Sequence, residues 1–382
     1  MKTDTESRPY RYTGLVDRYR SRLPLAADAK AISLCEGNTP LIRLKHIPRT
    51  VGFSGEIYVK YEGLNPTGSF KDRGMTVAVT QAVHAGSHAV ICASTGNTSA
   101  SAAAYAARAG IQAFVLIPDG KVALGKLAQA IAYGATVVQI AGNFDDAMEL
   151  VKELGKTEPV TIVNSINPYR LQGQKTAAFE IIEALGRPPD YHCLPVGNAG
   201  NITAHWIGYS EASGSGTDAC VFCNNECTFT QHATSWHPPK MVGYQAAGSA
   251  PFMRGKKVTN PETVATAIRI GDPQSWKPAW TVQRESEGWF DECTDERILA
   301  TQRLLASREG VFCEPASAAS LAGALRDIQR GRIQQGSVVV CTLTGNGLKD
   351  PDVILKDGAP ELIKVPAERA VVEKLLAAKL DA

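Results

Sequence analysis

Three short stretches hold residue types that can activate an amine and bind anions. In Asn65-Pro66-Thr67-Gly68-Ser69-Phe70-Lys71-Asp72-Arg73-Gly74, a lysine follows a Pro/Gly turn, beside Phe70 and small residues, and leads into a helical stretch. Positive charge is disfavoured at a helix start, so Lys71 is a candidate neutral amine, the form Schiff-base chemistry needs. Ser94-Thr95-Gly96-Asn97-Thr98 separates an apolar run from an Ala-rich stretch. Asn97 or Thr98 caps the helix there, and the free N–H groups suit a carboxylate. Gly197-Asn198-Ala199-Gly200-Asn201 follows the apolar run Cys193–Val196. Its small residues let backbone N–H groups converge on a phosphate at a helix start. It is neither GxGxxG nor GxxxxGK[ST], which argues against a dinucleotide site or a P-loop. Taken singly, the lysine reads as a solvated surface charge and each turn as an ordinary strand-to-helix connection.

The elements that must position these turns alternate. Strands are expected at Ile57–Tyr61, Ala89–Cys92, Ala113–Ile117, Thr136–Ile140, Thr161–Val163, Tyr191–Val196, Met241–Tyr244 and Ser337–Leu343. Helices are expected at Thr98–Arg108, Leu124–Tyr133, Phe144–Leu154, Leu171–Leu185, Ile202–Tyr209, Pro261–Ile270, Asp295–Ser307, Ala316–Gln329 and, as an amphipathic end, Ala367–Leu380. Apolar strands alternating with helices imply an α/β fold with mostly parallel sheets covered on both faces. Ligands in such sheets bind beyond the carboxyl ends of the strands, where all three turns fall.

Bulk composition narrows the class. At about 150 residues per domain, 382 residues imply two or three domains. An apolar fraction of 44% supports a sizeable core. A net charge of +2 gives no reason to expect nucleic acid or an acidic membrane as partner. No apolar run opens the chain, so no secretory signal is expected. The longest uncharged stretch, between His88 and Arg108, is too rich in Ser, Thr and Asn for a membrane span. Nine cysteines, an odd number, suggest free thiols in a reducing, cytoplasmic setting.

In order along the chain, the motifs resemble those of the fold-type II pyridoxal-phosphate enzymes, of the tryptophan synthase β-like superfamily, and within them the threonine synthases. The residues that carry the resemblance are Glu36-Gly37-Asn38-Thr39-Pro40-Leu41, Asn65 to Gly74, Ala93 to Thr98, Asn164-Ser165 through Arg170, Gly197 to Asn201, Glu314-Pro315-Ala316-Ser317-Ala318-Ala319 and Leu343-Thr344-Gly345-Asn346-Gly347. They span about residues 30–350. The resemblance implies two interleaved α/β domains, each a mostly parallel twisted sheet flanked by helices. The larger, cofactor-binding domain comprises 1–54 plus 171–382, and a smaller substrate domain 55–170.

By the same resemblance, Lys71 would form the Schiff base with pyridoxal 5'-phosphate and shuttle protons. Asn97 would bond the cofactor's ring oxygen. Gly197, Asn198, Ala199, Gly200 and Asn201 would cradle its phosphate, and Thr344 would meet the pyridine nitrogen. The substrate would be O-phospho-L-homoserine, its carboxylate on the Thr95–Thr98 turn and its phosphate on Arg170, with Asn164 and Ser165 adding neutral donors. Asp72 and the Asn164–Arg170 motif favour a phosphorylated substrate. The implied reaction is a lyase-type β,γ-replacement in which water displaces the γ-phosphate to give L-threonine, in a cytoplasmic homodimer. The alternatives are a threonine or serine dehydratase, a phosphoserine-using relative, and a non-catalytic ligand sensor on the same fold.

One segment departs from the pattern. Residues 210–240 carry Cys220-x2-Cys223-x3-Cys227, with His232 and His237 nearby. Cys220, Cys223, Cys227 and His232 have ligand types suited to zinc, but a second x2 pair is missing. The segment is expected to be a loop outside the chemistry, without metal.

Overall fold

Short runs of buried apolar residues form the strands, and their order brings the chemical turns together. The computed structural model describes residues 11–119, 124–142, 144–165, 167–222, 234, 236–353 and 363–380. Its strands are β1 (Leu41–Arg43), β2 (Glu56–Tyr61), β3 (Ala89–Ala93), β4 (Gln112–Pro118), β5 (Thr136–Ile140), β6 (Val160–Ile162), β7 (Tyr191–Pro195), β8 (Lys240–Ala246), β9 (Trp289–Cys293) and β10 (Val338–Leu343). The longer helices are α1 (Lys71–His84), α2 (Asn97–Ala109), α3 (Leu124–Ala132), α4 (Phe144–Thr157), α5 (Pro168–Leu185), α6 (Gly200–Ala212), α7 (Trp276–Glu285), α8 (Asp295–Glu309), α9 (Pro315–Gln329) and α10 (Arg369–Leu380).

The strands make two sheets, one ordered β1-β2-β10-β7-β8-β9 and the other β5-β4-β3-β6. Every pairing is parallel except β1 with β2. β3 and β7 are buried at every position, as strands covered on both faces must be. The edge strand β5 is half exposed. His192 is tolerated inside β7 because Nε2 meets Thr342 Oγ1 at 2.8 Å and Nδ1 meets the Tyr209 phenol Oη at 2.9 Å.

Both sheets have a topological switch point at a chemical turn. β3 lies between β4 and β6, and its carboxyl end leads into Ser94–Thr98. β7 lies between β10 and β8, and its carboxyl end leads into Gly197–Asn201. Such points open a crevice where a ligand can sit.

The structure departs from the sequence expectations at several elements, and it adds the short strand β1. β2, among the residues expected in the smaller domain, pairs with β10 in the six-stranded sheet. Pro261–Ile270 forms no α-helix, only a short turn of 3-10 helix at Thr266–Ile268. There the backbone is drawn elsewhere: Glu262 N bonds Gly248 O, and Val264 N bonds Asp295 Oδ2. Finally, α7 and β9 lie outside the expected elements, because Trp276–Glu285 is only moderately apolar and Trp289–Cys293 carries Asp291 and Glu292. Residues 351–382 form a separate unit containing α10, none of whose residues is buried.

Candidate active site

Lys71 owes its place to its neighbours in sequence. Arg73, two residues on, is buried and donates to Glu62 (2.6 and 2.8 Å) and to Glu180 (2.7 Å through each of two nitrogens). Lys60 completes the set by donating to Glu180 at 2.7 Å. Two cations and two carboxylates therefore cancel in the interior, anchoring the start of α1 to β2 and α5. Asp72 accepts from Thr67 N (2.7 Å), Thr67 Oγ1 (2.6 Å) and Ser101 Oγ (2.6 Å). Its oxygens are thus spent on the turn and on α2. This removes Asp72 as an argument for a phosphorylated substrate. Phe70 N donates to Thr344 O at 3.0 Å, which stitches the lysine turn to the end of β10.

The Lys71 amine is pulled down from 10.5 to about 7, by burial first and then by the Arg170 guanidinium; Glu314 opposes both. A substantial fraction is therefore the neutral nucleophile near pH 7.

The remaining groups come from four other loops. Asn97 opens α2, and its Nδ2 donates to the Glu314 carboxylate oxygens at 3.3 and 3.1 Å. Thr95 is half-buried and Thr98 buried beside it, where the first-turn N–H groups lack intrahelical acceptors. Thr344 Oγ1 lies 2.8 Å from Ser317 Oγ and 3.3 Å from Glu314 Oε1. In the Gly197–Asn201 turn, Ala199 adopts φ +62°, an uncommon left-handed conformation for a residue with a Cβ. A Cβ on Gly197 would stand 3.0 Å from Ile268 Cα. Asn201 is buried, and both its side-chain amide atoms lack a partner. Asn198 is partly committed, since its Oδ1 accepts from Gln274 N at 3.2 Å.

Arg170 sits in the first turn of α5, capped by Asn167, whose side chain accepts from Tyr169 N. It is 1% exposed. Nη1 donates to Val163 O at 3.1 Å, Nε has no partner, and burial lowers the guanidinium from 12.5 to about 10. A buried guanidinium with an unused donor carries a desolvation cost that an anion would offset. Asn164 follows β6 in the chain. Its amide closes a pair of 3.0 Å bonds with Ala93 N and O, clamping the end of β6 to the end of β3. Ser165 stands half-buried beside it.

Two groups that touch this constellation were not assigned a role from the sequence. Glu314 opens the Glu314-Pro315-Ala316-Ser317-Ala318-Ala319 motif, but nothing in its residue type points to Asn97. Lys349, whose amine donates to Thr67 O at 3.1 Å, had no sequence signal. Of the zinc candidates, Cys220 is buried among apolar side chains, with Gln172 Nε2 3.5 Å from its Sγ. Cys223, Cys227 and His232 lie outside the described residues. Among the described residues no group of three or more His, Cys, Asp or Glu could hold a metal.

Comparison with known proteins gives a consistent result. The family described as "Pyridoxal-phosphate dependent enzyme" matches residues 32–345. The threonine synthase of Mycobacterium tuberculosis is 54% identical over 366 residues, covering 95% of this chain and 96% of that protein. That of Synechocystis is 54% identical over 357 residues (94% and 88%), and that of Methanocaldococcus jannaschii 48% over 368 (94% and 86%). Among solved structures, maize serine racemase superposes with a TM-score of 0.68 at 18% identity, covering 97% of this chain and 99% of that one. O-ureido-L-serine synthase gives 0.69 at 21%, covering 89% and 98%. At such identities the two structures speak for the fold alone.

Proposed function

The chain belongs to the pyridoxal-phosphate-dependent enzymes and, within them, to the threonine synthase family, and from that premise we propose that it converts O-phospho-L-homoserine and water to L-threonine and phosphate. The residues present fit the cofactor: the unpaired Asn201 amide and the left-handed Ala199 turn at a helix start suit its phosphate, and Lys71 supplies the amine. When bound, pyridoxal phosphate supplies the electron sink that lets protons leave carbon next to the amino group.

The chain's own residues do the rest. Gly197–Asn201 would hold the cofactor phosphate, Asn97 the ring oxygen, and the Thr344 hydroxyl the ring nitrogen. Lys71 Nζ, held near 7, accepts and returns protons at the substrate carbons close to neutral pH. The first turn of α2, from Thr95 to Thr98, takes the substrate carboxylate. Arg170 takes the substrate phosphate and holds it as it departs, while Ser165 offers a hydroxyl and the Asn164 clamp shapes the wall. The observation that carries the phosphate-ester reading is Arg170 itself, a buried guanidinium near Lys71 with Nε unused.

The seven described free cysteines accord with a reducing cytoplasm. A homodimer is the assembly we adopt, since two-fold dimers are the commonest closed oligomers. The test of function is release of threonine and inorganic phosphate from O-phospho-L-homoserine in equal amounts. Ammonia and a 2-oxo acid in their place would identify a dehydratase and overturn the proposal.

A further inference from the structure

Glu314 immediately precedes α9 at its N-cap, yet its side chain makes no capping bond. Its carboxyl instead turns into the site, where it is buried. It accepts from Asn97 Nδ2 with both oxygens, and Thr344 Oγ1 lies 3.3 Å from Oε1. One of these partners opens α2 beside the four-stranded sheet, and the other follows β10 of the six-stranded sheet. Space has been left for this arrangement: a Cβ on Gly345 would stand 2.5 Å from the Glu314 carboxyl carbon.

We propose that Glu314 is a positioning residue that locks Asn97 and Thr344 into one unit and sets which way the Thr344 hydroxyl points. Its premise is that those two side chains touch the cofactor ring, as proposed above. Thr344 has one hydroxyl proton and two neighbours that can take it, Ser317 Oγ and Glu314 Oε1. Ser317 Oγ already accepts from Gly345 N at 2.9 Å. An ionised Glu314 draws the Thr344 proton to itself and leaves the oxygen lone pairs for a protonated ring nitrogen. A protonated Glu314 donates to Thr344 Oγ1 and turns the hydroxyl outward, as a donor to an unprotonated nitrogen. One proton on Glu314 thereby selects the ring's protonation and the strength of its electron sink. Asn97 Nδ2 carries two N–H groups, so with one shared by the Glu314 carboxylate the other would be left for the ring oxygen.

The charged groups facing Glu314 are Lys71 of α1 and Lys349 beyond β10, and both favour the carboxylate. Burial outweighs them and raises the carboxyl above its ordinary value. Cys313, its chain neighbour, is held as a neutral thiol by burial and by Glu314.

The test uses the full chain loaded with pyridoxal phosphate, with two isolated variants. Glu314→Gln keeps the shape and cannot ionise; Glu314→Asp keeps the acid and shortens its reach. The readouts are the absorption band of the bound cofactor against pH, and the cofactor affinity from titration of cofactor-free protein. Glu314→Gln is expected to retain the Lys71-dependent band, to move or abolish its pH transition by about one pH unit or more, and to weaken cofactor binding about 10-fold. Asn97→Ala is expected to cost less in the Gln background than in the wild type. Glu314→Asp is expected to keep a pH transition even if binding weakens, and this outcome stands should the Gln variant not fold. A Gln variant with wild-type spectrum, pH transition and affinity would overturn the role, as would an Asp variant that folds without any transition. A wild-type protein lacking a band that Lys71→Ala removes would instead overturn the site assignment on which the role depends.

Discussion

Replacing Arg170 with glutamine is expected to stabilise the ligand-free protein while removing most of its activity. The guanidinium is held at about 10 against an ordinary 12.5. At about 1.4 kcal/mol per factor of ten in proton affinity, keeping the charge buried costs roughly 3 kcal/mol. The folded protein binds this proton less tightly than the unfolded chain does. The cost is therefore present in full below about 10 and fades as pH rises from there toward 12.5. Glutamine removes the charge but leaves Val163 O to find a new donor, a loss of about 1 kcal/mol. The net gain is roughly 2 kcal/mol, which for a chain of this length corresponds to about 2–3 °C in melting temperature. With substrate bound the sign reverses. Two charge-assisted bonds to a phosphate contribute about 1.5–3 kcal/mol each, so kcat/KM should fall about 10²- to 10⁴-fold. Arg170→Lys, which keeps the charge but not the fork, should fall between. Calorimetry of cofactor-free protein at pH 7 and a phosphate-release assay on O-phospho-L-homoserine measure the two effects. A folded Arg170→Gln protein that melts lower than wild type, or keeps kcat/KM within tenfold, would refute the reasoning.

Four further outcomes are expected. Lys71→Ala should lose the bound-cofactor absorption band and about 10²- to 10⁴-fold or more in turnover; a retained band would remove Lys71 from its role. Because the neutral amine reacts and its pKa is about 7, the rate of cofactor capture by the wild type should rise with pH through 7 and then level off, as stopped-flow absorbance can check. Arg73→Met should cost about 3–5 kcal/mol by chemical denaturation, because Glu62 and Glu180 would remain buried without their main cation; an unchanged midpoint would show the network to be dispensable. Asp72, pushed up to about 6 from 3.8 by burial, holds its proton more tightly folded than unfolded. Relative to Asp72→Asn, the wild type should therefore gain stability as pH falls from about 6 toward 4, and the opposite slope in pH-dependent melts would contradict this.

Much of the site was legible because it is local. A tight turn after a buried strand needs small residues, and Gly197–Asn201 and Ser94–Thr98 announce themselves by composition. The strands that carry them, β3 and β7, are runs of buried residues that periodicity can detect. The segment Pro261–Ile270 misled because its composition permits a helix, while its backbone donors are claimed by Gly248 and Asp295 from distant parts of the chain. Asp72 misled for a similar reason: its position beside Lys71 suggested chemistry, and its partners Thr67 and Ser101 show a clamp.

Residue order alone shows the alternation of strand and helix, the chemical turns at strand ends, the lysine, and the motif order that marks the family. It takes the folded chain to show that β2 joins the six-stranded sheet, that the Asn164 amide bonds Ala93, that Arg170 is buried with an unused donor, and that Glu314 reaches both Asn97 and Thr344. The physical reason is one of range. Turn geometry and apolar periodicity act between residues a few positions apart, whereas the desolvation of a charge and the choice of its partner depend on groups such as Asn97 and Glu314, which lie 217 positions apart in the chain and meet only when both sheets are in place.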